Sequence, residues 1–470
     1  MSQPPLDVRA ESVSCFGHDA AGQGISRVCR LGPTDSTLAH RLARRANSHT
    51  ETAVDRLRAG KVWGAATAKS RARCGSWRRL AGSTGGRLYP PASSSAIRPW
   101  PQPVRSWGTD SPVFPEIDNL FVPEPPNPLR AGTVSAVIVS FSDPDATRRA
   151  VDSLLSQSSP PIEVLVLDNH PKRLTATAIA GWSQDPRVRL IHSGQNLGYT
   201  AACNRAAANA AGDWLFFLNP DARADADCLA TLLRAADART GVLGAQVLLP
   251  DGRTNAGDNP LHLTGIGWAG RFGEPLEHGP PRDVAAVSGA ALLARASAYR
   301  ALSGLCERFF MYYDDADLCW RTRLAGWKVV FCPDALAWHE YEFDQGSMKW
   351  FWLERNRLWS LLANYSAASL CLLAPLLAGT ELMVIVVAVR HGWLGSLLRA
   401  WVATLRGLPR LLSWRRKVQA SRQNPDSEII SLMSGKFETG LLRSQAASRA
   451  NPLVECYRRA TVGILRIMGR

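Results

Sequence analysis

Val134-Ser135-Ala136-Val137-Ile138-Val139-Ser140-Phe141 marks an abrupt change of pattern in a chain of 470 residues. The stretch is β-branched and apolar and stops at the turn-forming Ser142-Asp143-Pro144-Asp145, which predicts a buried strand. Working outward, Ala150, Leu154 and Leu155 share one helical face, and Ile162-Glu163-Val164-Leu165-Val166-Leu167 reads as a second buried strand ending at Asp168-Asn169. Further strands are predicted at 188–192, 214–218, 242–249 and 328–332, with helical patterns between several of them. Apolar strands alternating with helices predict an α/β fold whose largely parallel sheet is covered on both faces. Polar residues and glycines follow the strand ends, where such a sheet opens its ligand crevice.

The flanks differ in kind. The net charge of +15 is unevenly spread: 18 Lys and Arg against 10 Asp and Glu in residues 1–130, 19 against 22 in 131–340, and 18 against 8 in 341–470. Residues 1–130, rich in Arg, Ser, Ala, Gly and Pro, carry runs such as Pro123-Glu124-Pro125-Pro126-Asn127-Pro128 and are expected to lack regular structure. Residues 347–364 mix Trp350, Phe351, Trp352 and Trp359 with Lys349, Glu354, Arg355 and Arg357, as an amphipathic interface helix does. Residues 370–389 carry Glu381 as their only charge, a length that could cross a bilayer, although Pro375, Gly379 and the carboxylate argue against it. Trp393 and Trp401 with Arg390, Arg399, Arg406 and Arg410 follow as aromatic and basic interface anchors. The expected division is therefore 1–130 unstructured, 131–345 catalytic, 346–425 membrane-associated helices and 426–470 a polar tail. No nucleic-acid motif accompanies the basic charge, so that partner is set aside. The ten cysteines form no C-x-x-C pair, and Met1-Ser2-Gln3-Pro4-Pro5 has no apolar signal core, so the catalytic domain is expected on the cytoplasmic face of a membrane.

Several residues of the middle segment can carry chemistry. Tyr312-Tyr313-Asp314-Asp315-Ala316-Asp317 crowds three carboxylates into six residues, which raises at least one pKa toward that of a general base. Asp317 reads equally as a first-turn acid facing the helix dipole. Asn219-Pro220-Asp221 is either a plain turn or a carboxylate aimed into the crevice. His339 could join Asp221 at a divalent cation. Asp168 and Asn169 close a strand where a nucleoside can bond, and Asn196, Gly198 and Asn204 sit at an apparent helix start whose amides suit a phosphate.

The order of these motifs, with Ser288-Gly289-Ala290-Ala291-Leu292-Leu293, Phe309-Phe310-Met311-Tyr312-Tyr313-Asp314-Asp315-Ala316-Asp317-Leu318-Cys319-Trp320-Arg321 and Ala325-Gly326-Trp327, resembles the catalytic domain of inverting glycosyltransferase family 2, in its rhamnosyltransferase-like branch. The resemblance covers residues 134–341 and implies a GT-A fold, a Rossmann-like mixed sheet flanked by helices. It implies Asp315 as catalytic base with Asp314 beside it, and a nucleotide-sugar site at Asp168, Asn169, Asn196, Gly198, Asn204 and Asp221. It further implies a sugar and acceptor pocket at Ser288, Gly289 and Trp320, and Asp221 with His339 as ligands of Mg²⁺ or Mn²⁺. The donor would be a UDP- or dTDP-sugar carrying rhamnose, galactofuranose or a hexose, and the acceptor a lipid-linked or polysaccharide glycan of the cell envelope. Asn219 stands in place of the first Asp of Asp-x-Asp, and Asp314 in place of a Glu. A catalytically impaired membrane scaffold and a nucleotidyltransferase are the alternatives. The second lacks the Gly- and Arg/Lys-rich loop it would need after the first strand.

Overall fold

The computed structural model describes residues 13–18, 24–29, 129–175, 180–182, 184–340, 347–438 and 445–469. The chain divides into two compact units, Met1–Ser94 and Ser95–Arg470. In the first, Val13–His18 pairs antiparallel with Gly24–Cys29, a hairpin inside the segment expected to lack regular structure. The rest of that expectation, up to residue 128, lies outside the described residues.

The second unit is organised by a ten-stranded mixed sheet. Its core strands are β1 (Arg130–Ser140), β2 (Glu163–Asp168), β3 (Val188–His192), β4 (Gly212–Leu218), β5 (Ala222–Ala224), β6 (Thr240–Leu248) and β7 (Thr254–Ala256). They are completed by β8 (Arg282–Asp283), β9 (Ala291–Arg295) and β10 (Lys328–His339). The order is β8-β10-β6-β9-β4-β1-β2-β3, with β5 against β10 and β7 against β6. This is the GT-A-like mixed sheet that the resemblance implies.

Period-two alternation explains why β1 is buried on both sides. Ala136 and Ile138 join one core cluster with Ala150, Val151 and Leu154 of α1 (Pro144–Leu155). Val137 and Val139 join the opposite cluster with Ala202, Cys203 and Ala206 of α2 (Tyr199–Ala208). In β2, Val164 and Val166 face one way and Leu165 and Leu167 the other. Each such side chain contributes about 1.5–3 kcal/mol by leaving water. Asp143, read as a turn residue, is the α1 cap: its Oδ1 accepts from the amide of Ala146 at 2.8 Å, and Pro144 opens the helix.

Five strands differ from expectation: the short β5, β7 and β8 and the longer β9 were not expected, and β10 runs on past residue 332. β9 was hidden because Ala291-Leu292-Leu293-Ala294 has no β-branched residue; antiparallel pairing with both β4 and β6 makes it a strand. β10, expected to end at residue 332, runs through Pro333-Asp334 because the register against β6 shifts between Cys332 and Leu336 and leaves the proline in the irregularity. His339 is consequently the last residue of a strand.

α3 (Cys228–Ala235) lies between β5 and β6, and α4 (Ala296–Ala301) and α5 (Asp314–Leu324) lie between β9 and β10; the sheet is followed by a helical C-terminal region. Its elements are α6 (Ser347–Asn364), α7 (Ala367–Arg390), α8 (Leu394–Arg406), α9 (Leu408–Ala420), α10 (Asp426–Leu432) and α11 (Gln445–Ile467). The expected interface helix α6 is instead an interior one: Glu354, Arg355, Asn356, Arg357, Ser360 and Asn364 are all buried. The expected polar tail forms α10 and α11, with Ile429, Ile430, Val454, Val462 and Leu465 in a core cluster shared with Trp320 and Tyr365.

Candidate active site

Strand order reverses at β1, which has β2 on one side and β4 on the other, both parallel to it. Such a switch point splays the loops after β1 and β4 apart and opens a crevice at the carboxyl ends. The Asn219-Pro220-Asp221 turn follows β4 directly. Because β9 is antiparallel to β4, its start meets the end of β4, and the Asn219 amide donates to Ala290 O at 3.0 Å. Pairing of Ala222 with His339 brings the end of β10 to the other side of the same turn. Topology alone thus gathers Asp221, His339, Ser288 and Gly289, which are up to about 120 residues apart in sequence.

At one end of this cluster His339 Nε2 lies 3.1 Å from Asp221 Oδ1 and 3.4 Å from Asn219 Nδ2. Its Nδ1 lies 3.3 Å from Asn255 Oδ1 on β7, a partner no sequence signal announced. With its proton on Nε2 the ring donates to Asp221; with its proton on Nδ1 the Nε2 lone pair faces the carboxylate, as two ligands of a shared cation would. His339 is buried, whereas the Asp221 side chain is 35% exposed toward solvent. Among the described residues no group of three or more His, Cys, Asp or Glu stands together as a metal cage. A cation here would hold two protein ligands and take its remaining oxygens from a diphosphate or water, as Mg²⁺ commonly does.

At the other end Asp315 Oδ2 accepts from the Gly289 amide at 2.9 Å and Oδ1 from its neighbour Ala316 at 2.8 Å. A Cβ on Gly289 would meet Asp315 Cβ at 3.1 Å, so glycine permits this approach. Burial pushes the Asp315 carboxyl above the usual carboxylate range, and the two amides oppose the shift in part. Asp314 is pushed up as well, by burial first and then by the charge of Asp315. Asp317 does something else. It is fully buried, bonded to Arg321 Nε at 2.7 Å, Ser360 Oγ at 2.9 Å and Asn364 Nδ2 at 3.1 Å, and ties α5 to α6.

The backbone leading into α5 is strained. Phe310, Tyr312 and Tyr313 all have φ near +65°, a region each non-glycine residue occupies at a cost of about 1–3 kcal/mol. Asn356 holds the segment: its Nδ2 donates to the carbonyls of Phe309 (3.1 Å), Met311 (2.9 Å) and Tyr312 (2.9 Å). Arg355 bonds the carbonyl of Arg308, and the Tyr313 hydroxyl donates to Gly265 O at 2.5 Å. Asn356 was missed as a site residue, although the polar quartet Glu354-Arg355-Asn356-Arg357 inside an aromatic helix was a visible signal.

Other expected residues are placed differently. Asp168 is buried and accepts from the amides of His170 and Thr175, each at 3.1 Å, at the end of β2. Asn169 is spent on the Asn196–Gly198 loop, accepting from Leu197 N (2.9 Å) and donating to Asn196 Oδ1 (3.1 Å). Gly198 has φ +78°, but the group that approaches it is Phe310, whose side chain would stand 2.4 Å from a Cβ there. The Thr200 amide donates to Phe310 O at 3.2 Å, so this helix start receives the strained loop where a phosphate was expected. Asn204 is fully buried, with Oδ1 accepting from Tyr299 and Leu305 and Nδ2 donating to Leu305 O and Glu307 Oε1. It is not brought to the crevice. Neither is Trp320, expected in the sugar pocket: it is fully buried, edge-on to Tyr365 at 4.6 Å between ring centroids. Both were misplaced because a helix start and a helix face look alike in sequence whether they meet ligand or core.

The glycosyl transferase family 2 pattern matches residues 135–302, from β1 to the end of α4. The N-acetylglucosaminyl-diphospho-decaprenol L-rhamnosyltransferase of Mycobacterium tuberculosis is 32% identical over 237 residues, covering 45% of this chain and 76% of that protein. The O-antigen biosynthesis protein RfbC of Myxococcus xanthus is 31% identical over 215 residues, covering 43% of this chain and 17% of its own much longer one. With a relative so similar over three quarters of its length, a matching sheet and a crevice at the switch point, this chain is a glycosyltransferase and belongs to glycosyl transferase family 2.

Proposed function

We propose that the chain transfers a sugar with inversion, in one displacement, from a UDP- or dTDP-sugar to a lipid-linked glycan at the cytoplasmic face of a membrane. L-rhamnose is the first candidate for the sugar, because the Mycobacterium tuberculosis relative carries that activity in its name; galactofuranose and hexoses follow. The observation that carries the mechanism is the Asp315 carboxylate, fixed by the Gly289 amide beside the Asn219–Asp221 turn. Asp315 takes the proton from the acceptor hydroxyl, which attacks the anomeric carbon as the diphosphate leaves from the opposite face. A carboxylate whose proton affinity is raised by burial is a stronger base than one in water. Asp168 and Asn169 border the nucleoside, with the Phe141 and His170 rings, 5.2 Å apart, beside them. Asp221 and His339 would hold Mg²⁺ or Mn²⁺, which would neutralise the leaving diphosphate. Ser288 and Gly289 line the pocket between these groups.

The test is a panel of UDP- and dTDP-sugars offered with a short-chain, water-soluble diphospholipid acceptor bearing N-acetylglucosamine. The expected product is a disaccharide whose new anomeric bond is opposite in configuration to that of the donor. Retention of configuration, or nucleotide transfer in place of sugar transfer, would sink the reading.

A further inference from the structure

Among the described residues α7 is the one helix long and apolar enough to cross a bilayer, and 17% of its apolar window is buried. Its inner side is bound to the catalytic unit along its length. Leu373 packs into the cluster that holds Trp320 and Tyr365. Glu381 pairs with Arg357 at 2.5 Å, and Arg357 also donates to Thr264 O, in the loop between β7 and β8, at 3.1 Å. Val384 and Ala388 pack with Trp393 and Leu397, against Ile266 and Trp350. Leu373 to Ala388 is about 22 Å of helix axis at 1.5 Å per residue. A span would therefore pull Arg357, Glu354 and the loop at 264–266 into hydrocarbon, where unmatched backbone and charge are costly.

The outer side is different. Leu382, Val386 and Val389 recur at the spacing of one helical face and are 66%, 65% and 60% exposed. Leu398, Val402 and Leu405 repeat that spacing on α8, also exposed. Residues 394–420 carry six Arg and Lys and no Asp or Glu, and Arg399, Arg406 and Arg416 are exposed there. An apolar stripe edged only by cations complements an anionic lipid surface.

Resting on the membrane part of the proposed function, we infer that α7 and α8 seat the enzyme in one leaflet of an anionic membrane, with α7 lying in the plane of the surface. The acceptor's lipid then stays in the same leaflet while its sugar reaches the crevice. Binding has two terms, apolar burial by the outer leucines and valines and charge attraction by the arginines, so it weakens when salt is raised.

Flotation of the full chain with phosphatidylcholine vesicles, with and without phosphatidylglycerol, tests the surface. The chain should float with the anionic vesicles and fall off by about tenfold in Leu382→Glu with Val386→Glu, which should still transfer sugar to the short-chain soluble acceptor. Equal flotation of that double variant, or no preference for anionic lipid, overturns the docking surface. A wild-type chain that self-associates through this face in solution, and becomes monomeric in the double variant, also overturns it. The in-plane seat is read by an impermeant maleimide on sealed membrane vesicles with the cytoplasmic side out, in a chain whose Cys15, Cys29, Cys74, Cys371 and Cys456 are serine. A thiol from His391→Cys, at the C-terminal end of α7 and off the apolar stripe, should label without detergent. Its protection means a span and overturns the inference. Loss of sugar transfer in the soluble assay by the wild-type chain would instead count against the proposed chemistry alone.

Discussion

The two ends of the crevice are built on opposite plans. The Asp221–His339 end is assembled from the tips of β4, β7 and β10, is partly open, and supplies one carboxylate where two are customary. The Asp315 end is a single helix start, half-buried, entered through three residues with positive φ and clamped from behind by Asn356. On the proposed chemistry, the difference follows from what each end would hold. A cation can complete its coordination from the substrate's own diphosphate, so the protein can leave that end incomplete. A general base has no such help. Its reach to the acceptor oxygen and its proton affinity must be set before substrate arrives.

If that contrast is right, damage at the Asp315 end should cost more than damage at the cation end. Asp315→Asn should lower kcat by about 10³-fold with little change in donor KM, within the range that a positioned base supplies. A near wild-type rate would remove the base from this position. In the wild-type enzyme the base works only when deprotonated, so activity falls as pH drops through its pKa. Because burial raises that pKa, the acid limb should lie above the usual carboxylate value of about 4. A pH–rate profile with its limb at or below that value would break the argument from burial.

Asn356→Ala comes next, with kcat reduced about 10- to 100-fold and donor KM nearly constant, since the loop it holds carries the base and not the nucleotide. A merely structural role would raise KM or lower Tm without moving the acid limb; the positioning role should shift that limb as well. His339→Ala should raise the Mg²⁺ or Mn²⁺ concentration for half-maximal activity by about tenfold, the usual order for loss of a ligand or its support. Donor binding indifferent to both the substitution and a chelator would exclude a cation at this end. Asn219→Asp should act the other way and lower the cation requirement a few-fold, by adding the absent carboxylate; no change would mean that this position does not face the cation. Smallest of all, Trp320→Phe should leave kcat within about twofold while lowering Tm by a few degrees, because the ring is core and not pocket.

How much was legible in the chain depends on the range of the interactions involved. β1, β2 and α1 were readable because their alternation and capping are local: Ile138 and Val139 point to opposite clusters whatever surrounds them. Asp315 and Asp221 were readable as candidates because three acids together, and an acid after a strand, are unusual locally. Asn255 was not, since the group its side chain meets is a histidine 84 positions away. Asn204 and Gly198 look like ligand-binding residues by type and spacing, and only packing shows that Tyr299, Leu305 and Phe310 occupy their groups.

By itself, then, the sequence determined the sheet's parallel half, the candidate carboxylates and the family to which the chain belongs. Those rest on periodicities of two and 3.6 residues and on the order of short motifs. The tertiary structure alone decided which of three neighbouring acids is free to react. Asp317 goes to the core because Arg321, Ser360 and Asn364 satisfy it there, while Asp315 stays at the crevice because an antiparallel β9 delivers the Gly289 amide to it. It also decided the fate of α7. Composition made that helix apolar, but a part-buried ion pair between Glu381 and Arg357, formed across 24 positions, binds one side of it to the protein and leaves the other for something else.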